Sequence, residues 1–243
     1  MVLPIVGAVI CAILVGVFIC LRVKKGGVPG LLSKTLASFG FVTLGLLLAT
    51  NKATFGTNND LSAILICCGL VCGLIGDIVL DLKVIYPEEQ DKYLPAGMVA
   101  FGIGHFFYLG AVSLAISAEM SVAGWDFIWR CLLVVGISLV LTVLTWLSST
   151  KLMKLDFGKH LWITLAYTFI LTCVVVFMIV FALSISTLKL WILVVGAVLF
   201  LLSDLVLSVQ YFGGKQADKT MIVINHILYY CAQIVIALFI FTL

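Results

Sequence analysis

Two aspartates stand deep in the apolar parts of this sequence, each eight residues after a glycine. Gly69 precedes Asp77 in Gly76-Asp77-Ile78-Val79-Leu80, and Gly196 precedes Asp204 in Ser203-Asp204-Leu205-Val206-Leu207. The next apolar run in each half carries His-x-x-Tyr, as His105 to Tyr108 and as His226 to Tyr229. These matches read as an internal repeat of residues 1–120 and 121–243. A carboxylate within hydrocarbon costs at least ~2.5–3.5 kcal/mol on insertion scales, so an intramembrane acid marks a functional site by default. Two carboxylates in one low-dielectric pocket divide their roles, one holding a proton while the other ionises. They form a general acid and a general base, suited to cleaving an acetal or an ether. The competing role is structural, a hydrogen bond to a neighbouring helix or an acid at a helix end.

Other polar residues gather near the same depth. Lys34 opens the second apolar run, Tyr167 lies in the sixth, and Asn225, His226, Tyr229, Tyr230 and Gln233 lie in the eighth. His105 sits somewhat deeper, in the fourth run with Tyr108. Each has a plainer role beside the functional one: interfacial snorkelling for Lys34, and hydrogen-bonded packing for the histidines and tyrosines. The catalytic candidates are Asp77 and Asp204. The substrate-binding candidates are Lys34, His105, Tyr108, Tyr167, Tyr229, Tyr230 and Gln233. The three histidines, at 105, 160 and 226, match no zinc-ligand spacing. With no Gly-x-Ser-x-Gly and no phosphate-binding glycine loop either, no metal and no cofactor is expected.

These residues need positioning elements, and composition says which kind. Of 243 residues, 64% are hydrophobic and 10% charged, against about 45–50% and about 25% in soluble domains. A water-soluble globule is excluded, because so few polar residues cannot cover one. The net charge of +3 is too weak to imply a nucleic-acid partner. Apolar runs recur at about 3–21, 31–49, 61–80, 94–116, 126–148, 160–182, 188–209 and 221–242, near the ~20 residues that a spanning helix needs. The first lacks a positive stretch before it and has Arg22, Lys24 and Lys25 after it, the reverse of a cleaved signal peptide. All five tryptophans fall near the ends of runs, as an interfacial belt requires. The eight cysteines all sit inside runs and read as small packing residues. The four prolines are expected at helix ends, which argues against broken helices.

The expectation is an all-α membrane protein, one integral domain over residues 1–243 with eight transmembrane helices. Because four spans is an even number, the two four-helix halves are expected in parallel orientation, about an axis along the membrane normal. Eleven of the 14 Lys and Arg fall on the first, third, fifth and seventh connections and their flanks. That asymmetry puts those connections in the cytoplasm and both termini outside. The two aspartates then lie in the cytoplasmic third of the bilayer, in a site facing that side.

The segments Gly196-Ala197-Val198-Leu199-Phe200-Leu201-Leu202-Ser203-Asp204, Gly76-Asp77 and Tyr229-Tyr230-Cys231-Ala232-Gln233 resemble the signature segments of the lysoplasmalogenase (YhhN-like) family. The resemblance extends to Ser33-Lys34 and to Phe101-x-x-x-His105-Phe106-Phe107-Tyr108, and it covers nearly the whole chain. Thr35-Leu36 stand where the family often has a proline. The resemblance implies hydrolysis of the vinyl ether bond of lysoplasmalogens to a fatty aldehyde and glycerophosphoethanolamine or glycerophosphocholine. The expected partners are a lysophospholipid substrate and membrane lipid, in a bacterial inner membrane or the endoplasmic reticulum. Either aspartate can hold either role. Two rival readings remain at this point: a secondary transporter or lipid carrier with paired acids, and a metal-dependent lipid amidase.

Overall fold

The eight apolar runs become eight helices: α1 (Val2–Lys24), α2 (Gly27–Lys52), α3 (Asn58–Asp81), α4 (Gln90–Glu119), α5 (Trp125–Leu147), α6 (Leu161–Ile185), α7 (Leu188–Phe212) and α8 (Lys219–Phe239). The computed structural model of the protein describes residues 2–52, 58–119, 125–185, 188–215 and 218–243. Among the described residues the remaining regular structure is a few 3-10 turns and one π turn, Ser148–Leu152, with no strand. All eight helices are long and apolar enough to cross a bilayer. The protein is an integral, multi-pass membrane protein.

Several helices begin before their apolar runs. The first turn of α4 holds polar residues and that of α2 is Gly27-Val28-Pro29-Gly30, so hydropathy alone starts both late. Only Lys25 and Gly26 separate α1 from α2. Gly26 and Gly27 have φ of 60° and 51°, the left-handed region that glycine enters without a Cβ clash. This tight reversal sets the last turn of α1, with Arg22, beside the opening of α2, with Lys34. Pro95, expected at a helix end, lies inside α4 and there forgoes a backbone bond to the carbonyl of Asp91. At the start of α8 Asp218 caps the helix, accepting from the amides of Thr220 at 2.9 Å and Met221 at 3.2 Å.

Neighbouring helices pair along the chain, α1 with α2, α2 with α3, and α3 with α4 most extensively. In the second half α5 meets α6, α6 meets α7, and α7 meets α8. Two contacts join the halves: α4 against α6, and α8 against α1, α2 and α3. Over its most apolar stretch α3 is 56% buried, against 17% for α1 and α5. The centre is therefore α3, and α1 and α5 face lipid. Lipid supplies no hydrophobic drive between helices, so close packing and polar contacts must hold them. Gly69 of α3 illustrates this: a Cβ there would stand 2.3 Å from the ring of Tyr108 on α4. The cysteines are free. Trp125, Trp129 and Trp162 project outward at helix starts, as the belt requires.

Candidate active site

The first carboxylate is built by three helices. Asp77 and Asp81 lie one turn apart on α3, and Lys34 and Ser38 one turn apart on α2, so each pair shares a face. The Lys34 ammonium, 4% exposed, stands 3.1 Å from Oδ1 of Asp77 and 3.3 Å from Oδ1 of Asp81. Arg22 of α1 pairs with the other oxygen of Asp81. The result is an alternating row, Arg22–Asp81–Lys34–Asp77. The remaining oxygen of Asp77 accepts hydrogen bonds from Ser38 at 2.6 Å and Tyr229 at 2.7 Å. A buried charge survives only when paired and fully hydrogen-bonded, and Asp77 is both.

A second layer fixes these partners. Tyr108 donates to Oε1 of Gln233 at 2.9 Å, and Nε2 of Gln233 donates to the Tyr229 hydroxyl at 3.1 Å. Tyr229 passes the chain on to Asp77, so one row of hydrogen bonds runs from α4 through α8 to α3. Tyr230 donates to the Lys34 carbonyl at 3.1 Å and lies 3.0 Å from the Ser38 hydroxyl.

The second carboxylate has a different setting. Asp204 of α7 accepts from the Tyr167 hydroxyl at 2.6 Å. Nε2 of His105 is 3.5 Å from that hydroxyl, and the His105 ring packs edge-on against Phe200 at 4.7 Å. Among the described residues no cation pairs with Asp204.

Both carboxylates line one cavity of about 330 Å³, whose other walls include Arg22, Lys83, Gln210, Tyr211, Asn225, His226 and Tyr229. A smaller, apolar cavity of about 60 Å³ runs between α4, α5, α6 and α7, past Met98, Thr142, Leu165, Tyr167 and Leu171. Leu80, Phe101, Asp204, Leu207 and Tyr211 belong to both cavities. Asp204 therefore stands at the joint between a polar, charge-lined chamber and an apolar one. A profile of the YhhN family matches residues 35–240.

The chain belongs to the YhhN family. This is the family of lysoplasmalogenase-like proteins. No curated protein and no solved structure matches the chain. The match begins one residue after Lys34 and takes in both aspartates and helices α3 to α7 entire.

In this YhhN-family protein the sequence candidates fall into two groups. Asp77, Asp204, Lys34 and Tyr229 line the polar cavity, and Tyr167 lines the apolar one. Tyr108, Tyr230, Gln233 and His105 line neither, and stand behind the residues that do. Lys34, read from sequence as a direct ligand of substrate, is held between two carboxylates and acts as their counter-ion. Sequence reasoning missed Arg22, Ser38, Asp81 and Lys83. Helical spacing was the available signal for two of them, since Ser38 is i+4 from Lys34 and Asp81 is i+4 from Asp77. Among the described residues no cluster of three or more His, Cys, Asp or Glu forms a metal site.

Proposed function

We propose that this protein is an intramembrane hydrolase that cleaves the vinyl ether bond of lysoplasmalogens, with Asp204 as general acid and Asp77 as general base. The observation that carries the reading is the unequal setting of two carboxylates on one cavity. Asp77 has a cation at 3.1 Å and two hydroxyl donors, which suits a charged group. Asp204 accepts from the Tyr167 hydroxyl, pairs with no cation among the described residues, and borders an apolar chamber, which suits a proton donor. The aliphatic tail would lie in the apolar chamber and the glycerophosphate portion in the polar one. The vinyl ether then falls at the joint, beside Asp204.

The proton steps close. Asp204 gives its proton to the β-carbon of the vinyl ether, leaving an oxocarbenium ion. Asp77, charged and held by Lys34, stabilises that cation and takes a proton from the water that adds to it. The hemiacetal then collapses: its hydroxyl proton returns to Asp204, and Asp77 protonates the departing glycerol oxygen. Aldehyde and glycerophosphodiester leave, and both acids recover their starting states. The chemistry asks for water and two carboxyl groups.

The cavity walls come from the C-terminal ends of α1, α3 and α7 and from the early turns of α2, α4 and α8. That end of the bundle bears the odd-numbered, Lys- and Arg-rich connections. By the positive-inside rule the cavity opens toward the cytoplasm. The test is aldehyde release from an alkenyl lysophosphatidylethanolamine by purified protein in detergent, with and without chelator. Turnover in both is expected. Turnover lost with chelator favours a metal-dependent hydrolysis, and intact lysolipid bound without turnover favours the carrier; either result overturns the proposal.

A further inference from the structure

Several hydrogen-bond donors on the wall of the polar cavity have no acceptor among the described residues. Lys83 lies with its ammonium 3.6 Å above the Tyr211 ring, and among the described residues no carboxylate pairs with it. The Tyr211 hydroxyl, Nε2 of Gln210 and Nε of Arg22 are buried and unpartnered among the described residues. Gln210 is only 5% exposed, so water at the bundle surface does not satisfy its amide. All four residues line the same cavity. Native proteins leave few buried donors unpaired, because each forgoes the bonds it had in water. A group of them on one wall awaits an acceptor.

Charge points the same way. The cavity wall holds three cations, Arg22, Lys34 and Lys83, and three carboxyl groups, Asp77, Asp81 and Asp204. With Asp77 and Asp81 charged and Asp204 holding the proton it donates, the wall carries one net positive charge. Arg22, Lys34, Asp77 and Asp81 balance their charges in one row, and Arg22 keeps its Nε unpartnered. The surplus charge therefore rests on Lys83. We propose that Lys83, Gln210, Tyr211 and the Nε of Arg22 form the phosphate site, holding the single negative charge of a one-chain phospholipid's phosphodiester. This inference rests on the hydrolase reading above and names the residues that choose its substrate. It moves phosphate recognition from Lys34 to the turn after α3 and the end of α7, with the Nε of Arg22 from α1. A point-charge lysine flanked by neutral donors is a common way to hold phosphate.

The test is equilibrium binding to the purified, full-length protein in detergent, with two saturated ether lipids that it cannot hydrolyse. One is an alkyl lysophosphatidylethanolamine, and the other is the alkylglycerol of the same chain, which lacks the phosphate. Lys83→Met is expected to weaken the phospholipid by about 10- to 100-fold, the range of a lost charge-assisted hydrogen bond. It should leave alkylglycerol binding unchanged, which also reports that the variant is folded. Lys83→Arg should restore most of the loss, and Tyr211→Phe should show a smaller loss confined to the phospholipid. Equal weakening of both lipids overturns the site, as does full phospholipid affinity in a Lys83→Met, Gln210→Leu double variant. Inorganic phosphate should displace the lysolipid only at concentrations far above those of unlabelled lysolipid; displacement at equal concentration assigns the wall to free phosphate and overturns the lipid assignment. The two readings fail separately. A wild type that releases no aldehyde leaves the binding comparison intact, whereas a failed phosphate site appears as unselective binding by a protein that still turns over.

Discussion

Identical side chains acquire different work here through their neighbours. Asp77 is fixed by Lys34, Ser38 and Tyr229, whereas Asp204 accepts from Tyr167 and has no cation among the described residues. If the two act as one acid–base unit, Asp77→Asn and Asp204→Asn should each slow aldehyde formation by about 100- to 10,000-fold. The double variant should be little slower than either single one, because residues acting as a unit are not additive. Steady-state rates of the three variants check this, and a well-folded single variant at near the wild-type rate contradicts it. Stability should part the two positions. Asp204→Asn removes no ion pair and should unfold near the wild-type temperature, while Asp77→Asn takes one of the two carboxylates from buried Lys34 and should unfold earlier. Lys34→Ala should be worse, since it leaves Asp77 charged and buried with no counter-ion. A broken buried pair costs about 3–5 kcal/mol. The loss should appear in thermal unfolding in detergent as well as in activity, and an unchanged unfolding temperature would return Lys34 to the role of an interfacial lysine.

At the scale of helices, the close approach of α3 to α4 depends on residues with no side chain. Gly69 faces the rigid Tyr108 ring, whose nearest atom is 2.3 Å from where a Cβ would stand. Gly69→Ala should therefore cost about 1–3 kcal/mol, the usual range for overpacking. It should also disturb the Tyr108–Gln233–Tyr229 row and lower activity from outside the cavity. Gly136 on α5 meets nothing within 4 Å, so Gly136→Ala should be neutral or slightly stabilising. Unfolding temperatures of the two variants measure the contrast. The helices themselves were legible in sequence because hydrocarbon demands long apolar runs. Their ends were not, because Arg22 and Asp81 continue the helices past the apolar runs while spending their charge on each other. The same pairing hid half of the site. A charge where an apolar run stops reads as one dissolved at the interface, and only the approach of α1 to α2 and α3 reveals a row of four. Asp77 and Asp204 were legible because nothing but function or pairing explains an acid inside an apolar run. Lys83 and the unpartnered donors beside it were not, since a missing acceptor has no signature in sequence.

As a whole, the molecule sets a polar, charge-lined chamber beside an apolar chamber and puts one carboxyl group where they meet. The two aspartate segments match in sequence but their surroundings differ: Asp77 is paired with a cation, and among the described residues Asp204 is not. Orientation is testable on the intact protein. A reporter fused to the C-terminus should register on the non-cytoplasmic side, and a cytoplasmic signal would reverse the side from which the cavity is reached. The central claim is that hydrolysis starts with a proton delivered to carbon, and its most direct test is turnover of an alkenyl lysophospholipid in deuterium oxide, with the aldehyde trapped by reduction as it forms. The expected product carries one deuterium on the carbon beside the former carbonyl, in wild type only, with little product from the Asp204→Asn variant. Aldehyde lacking that deuterium, or lysolipid recovered intact after prolonged binding, would contradict it.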